Sequence, residues 1–200
     1  MSKGKMFVIS GASGVGKSTV LKQVMDGRDD LKFSVSATTR APRPGETDGV
    51  HYYFVTKARF EEMIRENAFL EYDAHAGNYY GTPRAQAEEK MEHGLLLLDI
   101  EPMGAKQVKQ SAPDAVLIFI MPPSREELER RLRGRHTDDE QKICERLAQA
   151  RRECALAYTY DYVVINDDPD VAAKELDAII TAECCRYPDR KNYFTEVLEK

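Results

Sequence analysis

The stretch KMFVISGASGVGKSTVLKQVMD, residues 5–26, decides how the rest of the chain is read. Its centre, Gly11-Ala12-Ser13-Gly14-Val15-Gly16-Lys17-Ser18-Thr19, contains the spacing G-x-x-x-x-G-K-[ST]. In a loop of this kind backbone N–H groups converge on a polyphosphate while the lysine reaches its outer oxygens. Gly11, Gly14 and Gly16 are expected to take positive φ, which a glycine adopts without a Cβ clash, so that the backbone closes round the anion. The helix that follows aims its positive N-terminal end at the same point, and Ser18 offers a hydroxyl to Mg²⁺. A pattern this short also arises by chance, so its flanks matter. Met6-Phe7-Val8-Ile9 is an apolar run of the kind a parallel strand shows when both faces are covered, and Val20, Leu21 and Val24 recur at helical spacing. Strand, turn and helix are the context that the motif requires.

Composition narrows the class. Two hundred residues with 42% apolar content suffice for one substantial core with small insertions. A formal charge of −5 with no long basic run argues against a nucleic-acid partner, so arginines that bind anions must be clustered locally. No run approaches eighteen apolar residues and the first strand follows the N-terminus almost at once, so neither a membrane span nor a signal peptide is expected. Cys144, Cys154, Cys184 and Cys185 lack paired C-x-x-C spacing, which favours reduced thiols in a cytoplasmic protein over disulfides or zinc.

Phe33 to Thr39 reads as a strand leading into Arg40-Ala-Pro-Arg43-Pro-Gly-Glu-Thr-Asp-Gly-Val-His-Tyr52, a loop stiffened by prolines. Two arginines held in such a loop suit bidentate capture of a phosphate, and a solvated hairpin is the plainer alternative. Tyr52 to Val55 and Phe69 to Ala74 read as short strands, with Glu71 inside the second. Lys57 to Glu66 reads as a helix with Phe60, Met63 and Ile64 inward, and Gly77 to Pro83 as a turn-rich segment before the helix Arg84 to His93. Leu95-Leu-Leu-Leu-Asp99-Ile-Glu101 is the strongest strand signal and belongs in the middle of a parallel sheet. Ligands sit beyond the carboxyl ends of such strands, which brings Asp99 beside the phosphates; helix capping is its bland alternative. Ser124-Arg-Glu-Glu127 has the form of a capping box. It opens a helix carrying Arg131 and Arg135 on one face, and Arg146 follows on a second helix. An arginine-rich hairpin is most often solvated surface, but beside a phosphate loop it reads as a lid. Tyr162 to Ile165 is the last strand and Asn166-Asp-Asp its polar end, followed by helices over 169–185 and 189–200.

Taken together, Ser-Gly-Ala-Ser-Gly-Val-Gly-Lys-Ser at 10–18, Ser36-Ala-Thr-Thr-Arg40-Ala-Pro-Arg43-Pro-Gly-Glu, Gly-Asn-Tyr-Tyr80-Gly-Thr82, Leu-Asp99-Ile-Glu101, Arg131-Leu-Arg-Gly-Arg135 and Asn166-Asp-Asp resemble the guanylate kinases, which phosphorylate GMP from ATP. The likeness runs over about residues 5–185. It implies an α/β fold: a P-loop kinase core with a central parallel sheet flanked by helices (1–35, 83–126 and 153–200), an inserted GMP-binding subdomain (36–82) and a helical lid (127–152). By the same resemblance Ser36, Arg40, Arg43, Tyr52 and Tyr80 hold the GMP phosphate, and Glu71, Thr82 and Glu101 read the guanine. Asp99 and Arg146 border the GMP. Residues 11–19 with Arg131, Arg135 and Asn166 take ATP, Asn166 near the adenine. Lys17, Arg43, Asp99, Arg131, Arg135 and Arg146 carry the chemistry, and Ser18 and Asp99 serve Mg²⁺, directly or through water. Pro102-Met103 and His136 depart from the family's pattern without removing a group the chemistry needs. Oligomeric state and acceptance of dGMP are left open. Two rivals stand beside this reading: another small-molecule kinase on the same core, and a non-catalytic binding module of guanylate-kinase type, which typically lacks a working phosphate loop.

Overall fold

The computed structural model describes residues 4–75, 77–134 and 139–198. Parallel strands covered on both faces need continuous apolar runs, and the chain supplies them. β1 (Met6–Gly11) is buried at every position, and β8 (Val116–Met121) and β7 (Leu95–Asp99) are buried through their middles. With β2 (Leu31–Phe33) and β9 (Tyr162–Ile165) they form a five-stranded sheet in the order β2-β7-β1-β8-β9, every pair parallel.

Helices cover both faces. Val20, Leu21 and Val24 of α1 (Lys17–Asp26) and Leu176 and Ile180 of α7 (Pro169–Cys184) join Phe7, Ile9 and Ile118 in one cluster. Ala87 of α3 (Arg84–Glu92) and Ala105 and Val108 of α4 (Pro102–Ser111) meet Val8, Leu96 and Leu98 on the other side. The registers bring Ile9 level with Asp99, Gly11 with Ile120 and Met121 with Ile165, so the carboxyl ends of four strands share one edge.

Residues 37–83 build a second sheet from β3 (Ala37–Thr38), β4 (Tyr53–Phe54), β5 (Phe69–His75) and β6 (Asn78–Pro83), in the order β4-β3-β6-β5. Beneath it lies a small core of its own: Phe60, from α2 (Lys57–Arg65), stacks on Phe69 at 4.4 Å and on Tyr79 at 5.2 Å between ring centroids.

Three expectations are corrected. The run 33–39 is not one strand, because Ser34 N–H still bonds Leu97 of the first sheet at 2.8 Å while Ser36 C=O already accepts from Tyr53 of the second at 2.9 Å. The segment read as turn-rich is the strand β6, antiparallel to β5. Gly11 keeps strand backbone, and only Gly14 and Gly16 of the loop have positive φ, 85° and 92°. What Gly11 supplies is room: a Cβ there would stand 2.7 Å from the Ile120 carbonyl oxygen.

The arginine-rich hairpin is α5 (Arg125–Arg133) and α6 (Glu140–Cys154). Ser124 Oγ accepts from Glu127 N–H at 3.1 Å, which is half of a capping box; the Glu127 carboxylate turns instead to Arg130 and Arg131. Leu128, Leu132, Ile143 and Ala150 are buried in the cluster that also holds Val15, so the hairpin's apolar side packs on the phosphate loop. The last helix, α8, spans Tyr187–Leu198.

Candidate active site

The phosphate loop sits where β1 gives way to α1. Gly16 caps α1 in the left-handed conformation, and Gly14, at φ 85°, lies under Leu132, whose Cδ2 would be 2.5 Å from a Cβ at that position. Only glycine satisfies both demands. Lys17 Nζ pairs with Asp99 Oδ1 across the edge between α1 and β7. Asp99 caps no helix: the N-cap of α4 is Glu101, exposed and without a side-chain cap bond. The ion pair therefore stands where the strands end and the loop opens, with Ser18 and Thr19 exposed beside it.

A carboxylate that the sequence reading passed over holds the loop from behind. Glu153, buried near the end of α6, accepts from Ser13 N–H at 2.8 Å and from Gln149 at 2.7 Å, while Arg146 Nε donates to Ser13 Oγ at 3.2 Å. The only sequence signal was a glutamate one helical turn from Gln149 on a helix otherwise rich in exposed charge.

Arg131 is seated by Glu127 at 2.6 Å and donates to the carbonyls of Asn166 and Asp167 at 2.8 and 2.9 Å. These groups line a cavity of about 570 Å³ with Gly14, Val15, Gly16 and Thr19, a size that suits a nucleotide. Asn166 is buried at its rim: Nδ2 donates to Val15 C=O at 2.8 Å, and among the described residues Oδ1 has no donor. Arg135 and His136 lie outside the described residues.

On the second sheet, Glu71 and Thr82 face each other across β5 and β6, and Thr82 Oγ1 donates to Glu71 Oε1 at 2.7 Å. Burial pushes the Glu71 carboxyl above its ordinary pKa against the pull of that bond. Thr82, which the resemblance assigns with Glu71 to the guanine, is thus in direct contact with that carboxylate. Glu101 lies two residues beyond Asp99 on the same edge.

Arg40 forks onto Glu46 with bonds of 2.9 and 2.8 Å and lies 5.4 Å from the centroid of the Tyr52 ring, which meets Tyr80 edge-on at 6.1 Å. Glu46, absent from the sequence-derived set, also accepts from Arg43 N–H at 2.7 Å, and its carboxyl is held down to about 2, chiefly by Arg40. Arg43 is exposed and Ser36 half-exposed on the same stretch. The sequence offered a clue to Glu46: a carboxylate three residues past Arg43 in a loop with Pro44 and Gly45.

Comparison with known proteins agrees with this architecture. Residues 3–183 match the family model described as "Guanylate kinase". The chain is 46% identical over 197 residues to "Guanylate kinase" of Clostridioides difficile (strain 630), covering 98% of this chain and 96% of that protein. It is 52% identical over 182 residues to "Guanylate kinase" of Thermus thermophilus, covering 90% and 82%. The crystal structure of guanylate kinase from Anaplasma phagocytophilum is similar with a TM-score of 0.74 at 34% identity, covering 92% of this chain and 88% of that one. With a family match across most of its length and a phosphate loop closed on an aspartate at the sheet edge, the chain belongs to the guanylate kinase family.

Proposed function

We propose that the sheet edge carries out the reaction ATP + GMP → ADP + GDP with a division of labour between the two sheets. The observation that carries the reading is the Lys17–Asp99 pair at the mouth of the Gly11–Ser18 loop. The triphosphate lies along that loop, its outer oxygens exchanging Asp99 for contact with the Lys17 ammonium, and the adenine reaches the cavity by Asn166, whose donor-free Oδ1 suits an exocyclic amine. GMP binds over the second sheet, with its phosphate among Ser36, Arg40, Arg43, Tyr52 and Tyr80 and its base at Glu71, supported by Glu101. A phosphate oxygen of GMP attacks the γ-phosphorus in line; that P–O bond forms as the bond to the β–γ bridging oxygen breaks, and ADP departs. Lys17 with Arg131, Arg135 and Arg146 meets the charge that spreads over the transferring group.

Among the described residues no three acidic, histidine or cysteine side chains converge on a metal-sized site. The Ser18 hydroxyl and the Asp99 carboxylate are hard oxygen donors of the kind Mg²⁺ takes singly, completing its shell with waters and substrate phosphates, so the residues fit that ion. When bound it would neutralise charge between the β- and γ-phosphates. Among the described residues no helix is long and apolar enough to cross a membrane. We take the compartment to be the cytoplasm.

The test of the reaction is steady-state phosphoryl transfer from ATP to GMP, AMP, CMP and UMP, with GMP expected as the preferred acceptor by orders of magnitude. Comparable rates with another monophosphate would point to a different kinase on the same core, and no transfer at all to a binding module.

Residues 127–152 are proposed to act as a lid. Leu128, Leu132 and Ile143 tie them to the loop, so closure is expected to reinforce contacts already present rather than create them. Hydrogen exchange in this segment should slow when ATP and GMP analogues, or a bisubstrate analogue, are bound together; equal exchange with and without ligand would reduce the hairpin to ordinary surface.

The pH dependence should carry the signature of Glu71. Its folded pKa is raised by burial, with a small further push from Asp73, so its contribution to the stability of the unliganded fold is full in acid and lost as pH rises through that pKa. Guanine binding runs the other way, since only the ionised carboxylate accepts two donors. KM for GMP should therefore climb as pH falls through the raised pKa of Glu71, while KM for ATP stays level. Glu46 is ionised throughout that range and cannot be the source. An acid limb that persists unchanged in Glu71→Gln would remove the assignment.

A further inference from the structure

β5 is the outer strand of the second sheet, so one side of its ladder lacks a neighbouring strand. Helix α4 fills that side with side chains. The Gln107 amide accepts from Tyr72 N–H at 3.1 Å and donates to Tyr72 C=O at 2.9 Å, reproducing the pair of bonds that another strand would make. Ser111 Oγ donates to Leu70 C=O at 3.2 Å. Between these two anchored residues lies Glu71.

Its carboxylate points at the same helix. A Cβ built on Gly104 would stand 2.6 Å from Glu71 Oε2 and 3.2 Å from its Cδ. Positions 104, 107 and 111 are spaced i, i+3, i+7 and so form one face of α4. A glycine inside a helix weakens it relative to alanine, and Gly104 is buried with ordinary backbone dihedrals, so the helix itself gives no reason for it. The reason is the space. Glu71 is 5% exposed and its other oxygen is held by the fully buried Thr82, so a shift of the carboxylate disturbs that bond.

We propose that Gly104 and Gln107 are specificity-positioning residues: Gly104 leaves the space that the Glu71 carboxylate occupies, Gln107 holds the strand that carries it, and α4 thereby sets where the base of the monophosphate is read. The inference rests on the reading of Glu71 as the group that takes the guanine donors. Neither residue touches the base in this account; each acts through Glu71. A methyl group at 104 displaces the carboxylate by a substantial part of an ångström, and displacements near 1 Å lower rates by about 10²-fold.

The experiment measures kcat/KM for GMP and AMP, KM for ATP, and the melting temperature of wild type, Gly104→Ala, Gln107→Met and Glu71→Gln. Gly104→Ala is expected to lower kcat/KM for GMP by about ten- to a hundredfold, mainly through KM, and to narrow the preference over AMP. KM for ATP should hold, and the melting temperature should fall only modestly, because the helix gain from alanine offsets part of the cost of moving the buried carboxylate. The split between the KM values for GMP and ATP separates positioning from scaffolding. Gln107→Met keeps the side-chain length but neither donates nor accepts; it should raise KM for GMP about tenfold, as loss of a backbone-anchoring bond does. If both variants keep wild-type GMP kinetics while Glu71→Gln loses GMP, the positioning role is overturned and the reading of Glu71 stands. A variant that raises KM for ATP and for GMP alike also overturns the proposal, since the effect is then general. If Glu71→Gln keeps its preference, the reading of Glu71 fails and the proposal with it. Should Gly104→Ala not fold, Gln107→Met at its half-exposed position decides alone.

Discussion

Replacing Lys17 by alanine is expected to lower kcat by about 10²–10³-fold, the usual loss when one preorganised charge on a transferring oxygen is removed. The fold should survive. Lys17 and Asp99 are 18% and 27% exposed at the side chain, so water reaches the aspartate when its partner is gone, and an ion pair at such a rim contributes on the order of 1 kcal/mol. The catalytic loss goes beyond one missing contact, because an uncompensated Asp99 then faces the anionic phosphates. Lys17→Met, which keeps the stem but not the charge, should behave like Lys17→Ala in turnover. Near-normal turnover in either variant, measured with saturating ATP and GMP alongside the thermal melt, would remove the loop from the mechanism.

Glu71→Gln should cost at least about a hundredfold in kcat/KM for GMP while ATP binding at residues 11–19 is nearly unchanged. Guanine presents N1–H and N2–H₂ as neighbouring donors, and a carboxylate accepts both. In Glu71→Gln one of the two acceptors becomes an NH₂ group, and because the Thr82 hydroxyl can donate or accept it pairs with either end of the amide, so one guanine donor is left facing a donor or unpaired. Adenine suffers the converse in the wild type: its N1 lone pair meets a buried carboxylate, the kind of mismatch that sites built on hydrogen bonds reject by about 10⁴–10⁵. The measurement is kcat/KM for GMP and AMP in both proteins, and an undiminished preference for GMP in Glu71→Gln would show that another group reads the base.

Much of this architecture is visible in the residues because it is local. Met6–Ile9 and Leu95–Leu98 are apolar at successive positions, short runs of the kind a strand covered on both faces requires, and the phosphate loop is a matter of spacing over eight residues. What escapes a linear reading is pairing over distance. β propensity over 33–39 does not say that Ser34 bonds one sheet and Ser36 the other. Gly81 looks like a chain breaker, yet it sits in a strand because a Cβ there would come within 2.9 Å of Glu71 O and Tyr72 Cβ. Glu46 and Glu153 look like surface charge until Arg40 and Ser13 are brought against them. The place of Asp99 at the sheet edge was legible because it ends an apolar strand; its pairing with Lys17, 82 positions away, was not.

The second sheet is fastened to the first in three places. The chain crosses over at Ser34–Ser36, and returns where β6 runs without a loop into α3, with Arg84 N–H bonded to Ala68 C=O at 2.8 Å. The grip of α4 on Leu70 and Tyr72 is the third. The arm from Arg40 to Tyr52 projects between β3 and β4, braced by the Arg40–Glu46 pair, by Phe54 N–H bonded to Asp48 Oδ1 at 2.8 Å and by Tyr52 edge-on to Tyr80. On the proposed reading the two ends of the monophosphate are therefore held by differently anchored parts of the chain, the base beside a strand gripped by α4 and the phosphate on a projecting arm.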